Sequence, residues 1–341
     1  MRFAKGHGTE NDFVILLDPD GREGLSRVLA ARLCDRRAGI GADGVLRAVR
    51  TSAMAEAAET GVAASGSAGD GVPGPGAEPG AEWFMDYRNA DGTLAEMCGN
   101  GIRVFGRYLL DHDLVGGPEF AVATRGGTRL VRAEPDGEIT VDMGMPQVLG
   151  TGSATLAGQP LEGLRVSLGN PHLACLVDSP LAEFDLSQPP ALDAEQFPDG
   201  VNLELVSVVG NGHILMRVYE RGSGATRSCG TGAVAAAVAA TVAASGGQSA
   251  PAPLADDGLS ADHADGAASG PSTGGGGAPA GAVPPLSGGW VVDMPGGRLR
   301  VMFDGRTSFL TGPAVIVAEG ELDQAWLSGR PAIPDQSSLA R

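Results

Sequence analysis

Lysine is nearly absent: Lys5 is the only one in 341 residues. A pyridoxal-phosphate enzyme needs a lysine amine for its Schiff base, and Lys5 reads as part of a strand edge close to the N-terminal Met1, so that chemistry is not expected. Positive charge is scarce throughout, with Lys+Arg 24 against Asp+Glu 41 and a net charge of −17. That balance supplies no basic face for nucleic acid or an anionic membrane. No run of 18 apolar residues occurs, so no transmembrane helix is expected. Met1–Gly6 has no apolar stretch of signal-peptide length, and Asp12 follows soon after, which predicts a cytoplasmic protein. Four cysteines (Cys34, Cys98, Cys175, Cys229) are too few for a disulfide scaffold in so long a chain and read as free thiols. His7, His112, His213 and His263 show no metal-ligand spacing, and no metal site is expected.

Two segments, 51–82 and 244–289, are mostly Ala, Gly, Pro and Ser. They read as disordered inserts, because they carry little apolar bulk to repay the entropy of ordering. The remainder suffices for two domains of roughly 100–200 residues. Phe13–Leu17, Trp83–Tyr87, Phe120–Thr124 and Thr128–Ala133 read as strands, Leu25–Asp35 and Ile102–Leu110 as helices. From about residue 164 the same order returns, with strands at Leu173–Val177, Leu203–Val208 and Ile214–Tyr219, a helix at Ala233–Ala243, and strands at Trp290–Met294 and Arg298–Phe303. Short motifs repeat in step. Ala42-Asp43-Gly44-Val45 answers Pro198-Asp199-Gly200-Val201, Met97-Cys98-Gly99-Asn100-Gly101 answers Ser228-Cys229-Gly230-Thr231-Gly232, and Gly126-Gly127 answers Gly296-Gly297. The pattern predicts an α+β fold of two pseudo-symmetric halves, each a curved, mostly antiparallel sheet wrapped around a central helix. The expected divisions are 1–122 plus 307–341 for one half and 123–306 for the other.

Each central helix opens on Cys-Gly-x-Gly. A helix N-terminus favours negative charge and lowers a thiol's pKa from about 8.5 toward neutrality, while the glycines bring backbone N–H groups within reach of a carboxylate. Two such thiols converging on one carbon would make a cofactor-independent, two-base racemase or epimerase: one thiolate removes a proton and the other thiol returns one to the opposite face. A lone cysteine at a tight turn is more often a small buried residue, but two at matched places in a duplication reverse that weighting. Cys34, in a helix, and Cys175, in an apolar strand, keep the bland reading. A redox pair formed by Cys98 and Cys229 is the alternative from another class. If the thiols flank one carbon, oxidation should join them, which mass spectrometry of the inactivated protein would detect.

The segments Phe3–Phe13, Asn89-Ala90-Asp91-Gly92, Met97–Arg103, Gly169-Asn170-Pro171-His172, Gly200-Val201-Asn202, Glu220-Arg221-Gly222 and Ser228–Ala233 together resemble the diaminopimelate epimerase family. The resemblance implies conversion of LL-2,6-diaminopimelate to the meso isomer, feeding lysine and peptidoglycan synthesis, without cofactor or metal, by a homodimer. By the same resemblance Cys98 and Cys229 are the acid/base pair, and His172 and Glu220 tune the thiols. Asn11, Asn89, Asn202 and Arg221 read the distal amino-acid end, with Asn170 beside them, and Gly99-Asn100 and Gly230-Thr231 cradle the reacting carboxylate. Ala225 departs from the family, which usually has Glu there. Proline and hydroxyproline racemases share the duplicated two-cysteine plan, yet they usually carry His where Asn100 follows Gly99.

Overall fold

The computed structural model describes residues 1–54, 80–246 and 286–329. Arg2–Gly8 (β1) and Asn11–Leu17 (β2) form an antiparallel hairpin, so the first apolar run is the second arm of a hairpin rather than a lone strand. Phe13, Val14, Ile15 and Leu16 are all buried, as expected of a strand covered on both faces. The hairpin turns on Thr9 and Glu10, both at positive φ (51° and 64°), a conformation that a β-branched residue adopts only under constraint.

A short helix, Arg27–Cys34 (α1), is capped by Ser26, whose Oγ accepts from Leu29 N at 3.1 Å. It links β2 to its parallel neighbour Gly44–Arg50 (β3), a pairing that needs a crossover. Trp83–Asn89 (β4), the central helix Gly99–Asp111 (α2), and the strands Glu119–Thr124 (β5), Gly127–Ala133 (β6) and Ile139–Gly144 (β7) follow. Late in the chain come Ser308–Gly312 (β17) and Val315–Glu321 (β18), the latter returning to pair antiparallel with β1. The row is β18–β1–β2–β3–β4–β5–β6–β7, parallel only at β2/β3 and β4/β5.

The second half repeats this plan. Gln147–Leu156 (β8), Gln159–Ser167 (β9) and Pro171–Leu176 (β10) lead to Asn202–Gly210 (β12) and His213–Glu220 (β13). The helix Gly230–Ser245 (α3) and the strands Ser287–Met294 (β15) and Gly297–Asp304 (β16) complete it. Its row is β8–β9–β10–β12–β13–β15–β16, again parallel at two places, β10/β12 and β13/β15, each equivalent to one in the first half. Two-residue Ala191–Leu192 (β11) lies against β8, and Gly224–Thr226 (β14) against β13.

Helix α2 packs on β18, β1, β2, β3 and β6, and α3 on β9, β10, β12, β13, β15 and β16. A helix that touches strands near both ends of its row is one the sheet curls around, as the sequence predicts. Every residue from Gly230 to Thr241 is buried, which suits a helix built almost wholly of Ala, Val and Gly with no polar face. Its one mid-helix hydroxyl is satisfied: Thr241 Oγ1 donates to Ala237 O and accepts from Trp290 Nε1, both at 2.8 Å.

The chain divides after Asp142 and after Leu310, not at the expected 122 and 306. The sheet sets the first limit, because β5, β6 and β7 extend the β4 edge strand by strand and stay with the first half. The ends of both expected inserts are ordered. Thr51–Ala53 form a helical turn, and Thr51 N donates to Glu82 O at 2.9 Å, which prolongs the β3/β4 pairing beyond Arg50 and Trp83. Ala244 and Ser245 finish α3, and Ser287–Gly289 begin β15. The interiors, 55–79 and 247–285, lie outside the described residues.

Gly106 lets α2 approach β6 closely, since a Cβ there would stand 2.7 Å from Val131 Cγ1. Gly106→Ala should therefore destabilise by about 1–3 kcal/mol through overpacking, against the roughly 1 kcal/mol that alanine gains in a helix. A raised or unchanged thermal midpoint would contradict this packing.

Candidate active site

In the first half the thiol is the N-cap of α2. Cys98 has extended dihedrals, and its Sγ accepts from Gly101 N at 3.4 Å. Asn11, at the start of β2, reaches the same sulfur: Asn11 Oδ1 lies 3.6 Å from Cys98 Sγ and accepts from Asn100 Nδ2 at 3.2 Å. Asn11 is itself held by Asp43 Oδ2 at 2.8 Å. Asp43 belongs to an ion cluster in which Arg36 bridges it to Asp12, and Lys5 also pairs with Asp12. Burial would raise the Asp12 carboxyl, but hydrogen bonds from Arg36 and Lys5 override it and hold the group well below the usual carboxylate range.

Beneath this half-site lies Arg103, wholly buried. Its guanidinium donates to Asn100 Oδ1 (3.0 Å), Gly99 O (3.1 Å) and the turn residue Thr9 Oγ1 (3.3 Å). These bonds tie the strained β1–β2 turn to the start of α2 and help keep Thr9 in its left-handed conformation. Burial lowers the Arg103 pKa to about 10, partly offset by Cys98 and Glu138, so it stays a cation near neutral pH.

The second half-site has the same cap and different neighbours. Cys229 caps α3, its Sγ accepting from Gly232 N at 3.3 Å. The Thr231 hydroxyl lies 3.6 Å from that sulfur and accepts from Asn170 Nδ2 at 3.2 Å. Asn170 Oδ1 meets His172 Nε2 at 3.1 Å, and His172 Nδ1 meets Glu204 Oε1 at 2.6 Å. On another side Glu220 hydrogen-bonds both Thr226 and Cys229. Asn202 Oδ1 accepts from Arg221 N at 2.9 Å, which fixes the backbone next to Glu220, and Arg221 Nη1 donates to Asp199 O. Burial pushes the Glu220 carboxyl above its usual range despite the bonds from Thr226 and Cys229. Burial, then the Glu220 and Glu204 carboxyls, push the Cys229 thiol well above its ordinary value; the bonds from Thr231 and Gly232 pull the other way. A thiol so placed is held protonated beside a carboxyl able to take its proton.

The structure thus gathers Asn11, Gly99 and Asn100 around Cys98, and Asn170, His172, Glu220, Gly230 and Thr231 around Cys229, with Asn202 and Arg221 one step further out. Asn89 stands apart from these contacts: at the end of β4 it pairs with Gly44 and donates to Thr93 Oγ1 at 3.1 Å. Sequence reasoning passes over Arg103 and Glu204. Glu204 does leave a trace, as an acid inside the apolar strand Leu203-Glu204-Leu205-Val206. Among the described residues no group of three His, Cys, Asp or Glu side chains could hold a metal ion.

Cys34 and Cys175 are packed in the cores, and burial pushes their thiols up to about 11 and about 12. Brief iodoacetamide treatment of native protein at pH 8 should leave both unlabelled, while unfolded protein labels at all four cysteines. Peptide mass spectrometry reads the outcome, and fast native labelling of either would refute their burial.

Solved structures first define a fold. A Bacillus anthracis phenazine biosynthesis protein of the PhzF family shares it with a TM-score of 0.56 at 14% identity, covering 95% of this chain and 99% of that one. A probable proline racemase from Agrobacterium radiobacter K84 gives 0.54 at 12% identity, covering 95% and 93%. At such identities the likeness is one of fold alone. The sequence pattern of the family described as diaminopimelate epimerase matches residues 3–149 and 164–252. The diaminopimelate epimerase of Thermobifida fusca is 51% identical over 322 residues, 94% of this chain and 98% of its own. The chain belongs to the diaminopimelate epimerase family: it is an isomerase that epimerises diaminopimelate.

Proposed function

We propose that the chain interconverts LL- and meso-diaminopimelate by two-base chemistry, with Cys98 and Cys229 as the acid/base pair. The observation that carries this reading is the matched pair of caps: in each half a cysteine sulfur caps the start of the central helix and accepts the N–H three residues on. One thiolate takes the α-proton, and the other thiol gives its proton to the opposite face of the carbanion. Proton balance is kept, and the roles exchange when the reaction reverses. Glu220, hydrogen-bonded to Cys229, takes up or returns the proton of that thiol.

The carbon next to a carboxylate is a very weak acid, and each pKa unit of mismatch costs about 1.4 kcal/mol. The first-turn N–H groups at Gly99-Asn100 and Gly230-Thr231 lack a carbonyl one turn earlier and offset that cost by binding the carboxylate as charge builds on it. His172 keeps the Cys229 surroundings ordered, while Asn11, Asn89, Asn170, Asn202 and Arg221 bind and orient the substrate. The product feeds lysine and peptidoglycan synthesis. The protein works in the cytoplasm as a homodimer, for which light scattering should give twice the 34.3 kDa of one chain.

Proton NMR of the reduced protein with LL-diaminopimelate in deuterium oxide tests the chemistry. Deuterium should enter the α position as meso product forms. Absence of exchange under reducing conditions, or exchange of proline instead, would overturn the reading.

A further inference from the structure

The duplication aligns the two helix starts residue by residue, and at one position it carries opposite chemistry. In the first half Leu46 Cδ2 lies 3.4 Å from where a Cβ on Gly101 would stand; in the second, Glu204 Oε1 lies 2.8 Å from the equivalent point on Gly232. The two residues hold the same register. Leu46 pairs with Tyr87 and Glu204 with Val218, and each partner precedes its cysteine by eleven residues. A leucine there needs nothing further. Glu204 is completely buried, and its Oε2 has no hydrogen-bond partner. A buried carboxyl persists only if charge and proton are accounted for locally.

His172 supplies that account. Its two ring nitrogens face two oxygens, Glu204 Oε1 at 2.6 Å and Asn170 Oδ1 at 3.1 Å. Nε2 must therefore carry a hydrogen, whether the pair is imidazolium with carboxylate or imidazole with carboxylic acid. Either form shares one proton between the two groups and bears no net charge. From Nε2–H the donors run one way. His172 donates to Asn170 Oδ1, Asn170 Nδ2 donates to Thr231 Oγ1, and the Thr231 hydroxyl is left to donate to Cys229 Sγ.

We propose that Glu204 is a positioning residue for the second thiol: by sharing one proton with His172 it fixes the direction of the His172–Asn170–Thr231 chain, so that the chain always presents a donor to the Cys229 sulfur. The proposal rests on the acid/base role of Cys229 proposed above. It makes the two thiols unequal although their caps match, since an apolar side chain stands at the corresponding place in the first half. The ionisable groups around Glu204 are His172 and Cys175 on β10, Glu220 on β13 and Cys229 on α3.

Glu204→Gln tests it, because the amide keeps the shape but shares no proton. The kcat should fall roughly ten- to a hundredfold with KM within about twofold, since Glu204 acts through another residue. The pH profile of kcat should change shape. In a His172→Gln background the same substitution should have little further effect, the signature of coupling through His172. A wild-type kcat and pH profile in the folded variant, or an equal loss in both backgrounds, would overturn the proposal. If Glu204→Gln does not fold, the comparison is made with Glu204→Asp, which keeps the carboxyl and withdraws it by one methylene. Cys229→Ser, measured alongside, separates the two readings. Activity retained there removes the acid/base role of Cys229, whereas an inactive Cys229→Ser with a wild-type Glu204→Gln removes this proposal alone.

Discussion

Cys98→Ser and Cys229→Ser should each fold at least as well as the parent and lose epimerisation by roughly 10²–10⁴-fold. The two halves of that expectation come from different physics. As a helix cap, a hydroxyl oxygen is among the preferred acceptors for the N–H three residues on, while a thiol sulfur is a weak one. Serine should therefore keep or strengthen the bonds now made by Gly101 N and Gly232 N. As an acid or base near neutral pH, a hydroxyl is far less acidic than a thiol. If the cysteines were only caps, serine would be harmless. Because the proposed reaction needs both groups in one turnover, the double variant should be scarcely slower than either single one. Rates by NMR and denaturation midpoints on the same samples check this, and an active serine variant at either position would end the two-thiol reading.

The largest loss of stability is expected at Asp86. This carboxylate is fully buried in β4 and meets Arg47 at 2.9 Å, Arg125 at 2.6 Å and Arg88 at 3.8 Å. Arg47 in turn pairs with Asp18 at 3.1 Å, whose carboxyl caps the backbone N–H groups of Arg22 and Glu23. Removing one member of a buried ion cluster leaves the others charged and poorly hydrated, which costs about 3–5 kcal/mol. Against a total stability of roughly 5–15 kcal/mol, Asp86→Ala should move the urea midpoint by about 1 M or more. A midpoint unchanged from the parent would show that the arginines find water or other acceptors. The ion partners of Asp86, Arg47, Arg88 and Arg125, belong to neither group of side chains around Cys98 or Cys229, so whatever folded variant remains should keep its KM.

Much of this was legible from residue order. The apolar run Phe13–Leu17, the Cys-Gly-x-Gly helix starts and the step between the two sets of motifs follow from periodicity and turn chemistry. They led to the strands, the two central helices and the duplication. Four kinds of feature were hidden. β18 is an edge strand with mostly exposed side chains, so no apolar alternation announces it. β8, flanked by β9 and β11, alternates only briefly at Ala154 and Leu156, and its pairing defines it. The turn at Thr9-Glu10 lacks the glycine or asparagine that usually marks such a bend, and tertiary bonds from Arg103 hold it instead. Arg103 and Glu204 are charges in buried positions, and a sequence shows a charge without showing what surrounds it. The boundary near residue 142 escaped for a related reason: β5 to β7 join the first half through ladder hydrogen bonds, which leave no mark in composition.

The pairing of β1 with β18 also orders events in time. Residues 143–310 form one continuous stretch of chain and have all their strands as soon as they leave the ribosome. The first half, made earlier, is complete only when Val315–Glu321 arrives to cover Arg2–Gly8. At about 5–20 residues per second, synthesis leaves the outer edge of β1 open for roughly 15–60 s. During that interval the nascent chain offers unpaired backbone to its neighbours, so the half begun first is the half finished last, and its weakest moment comes before release.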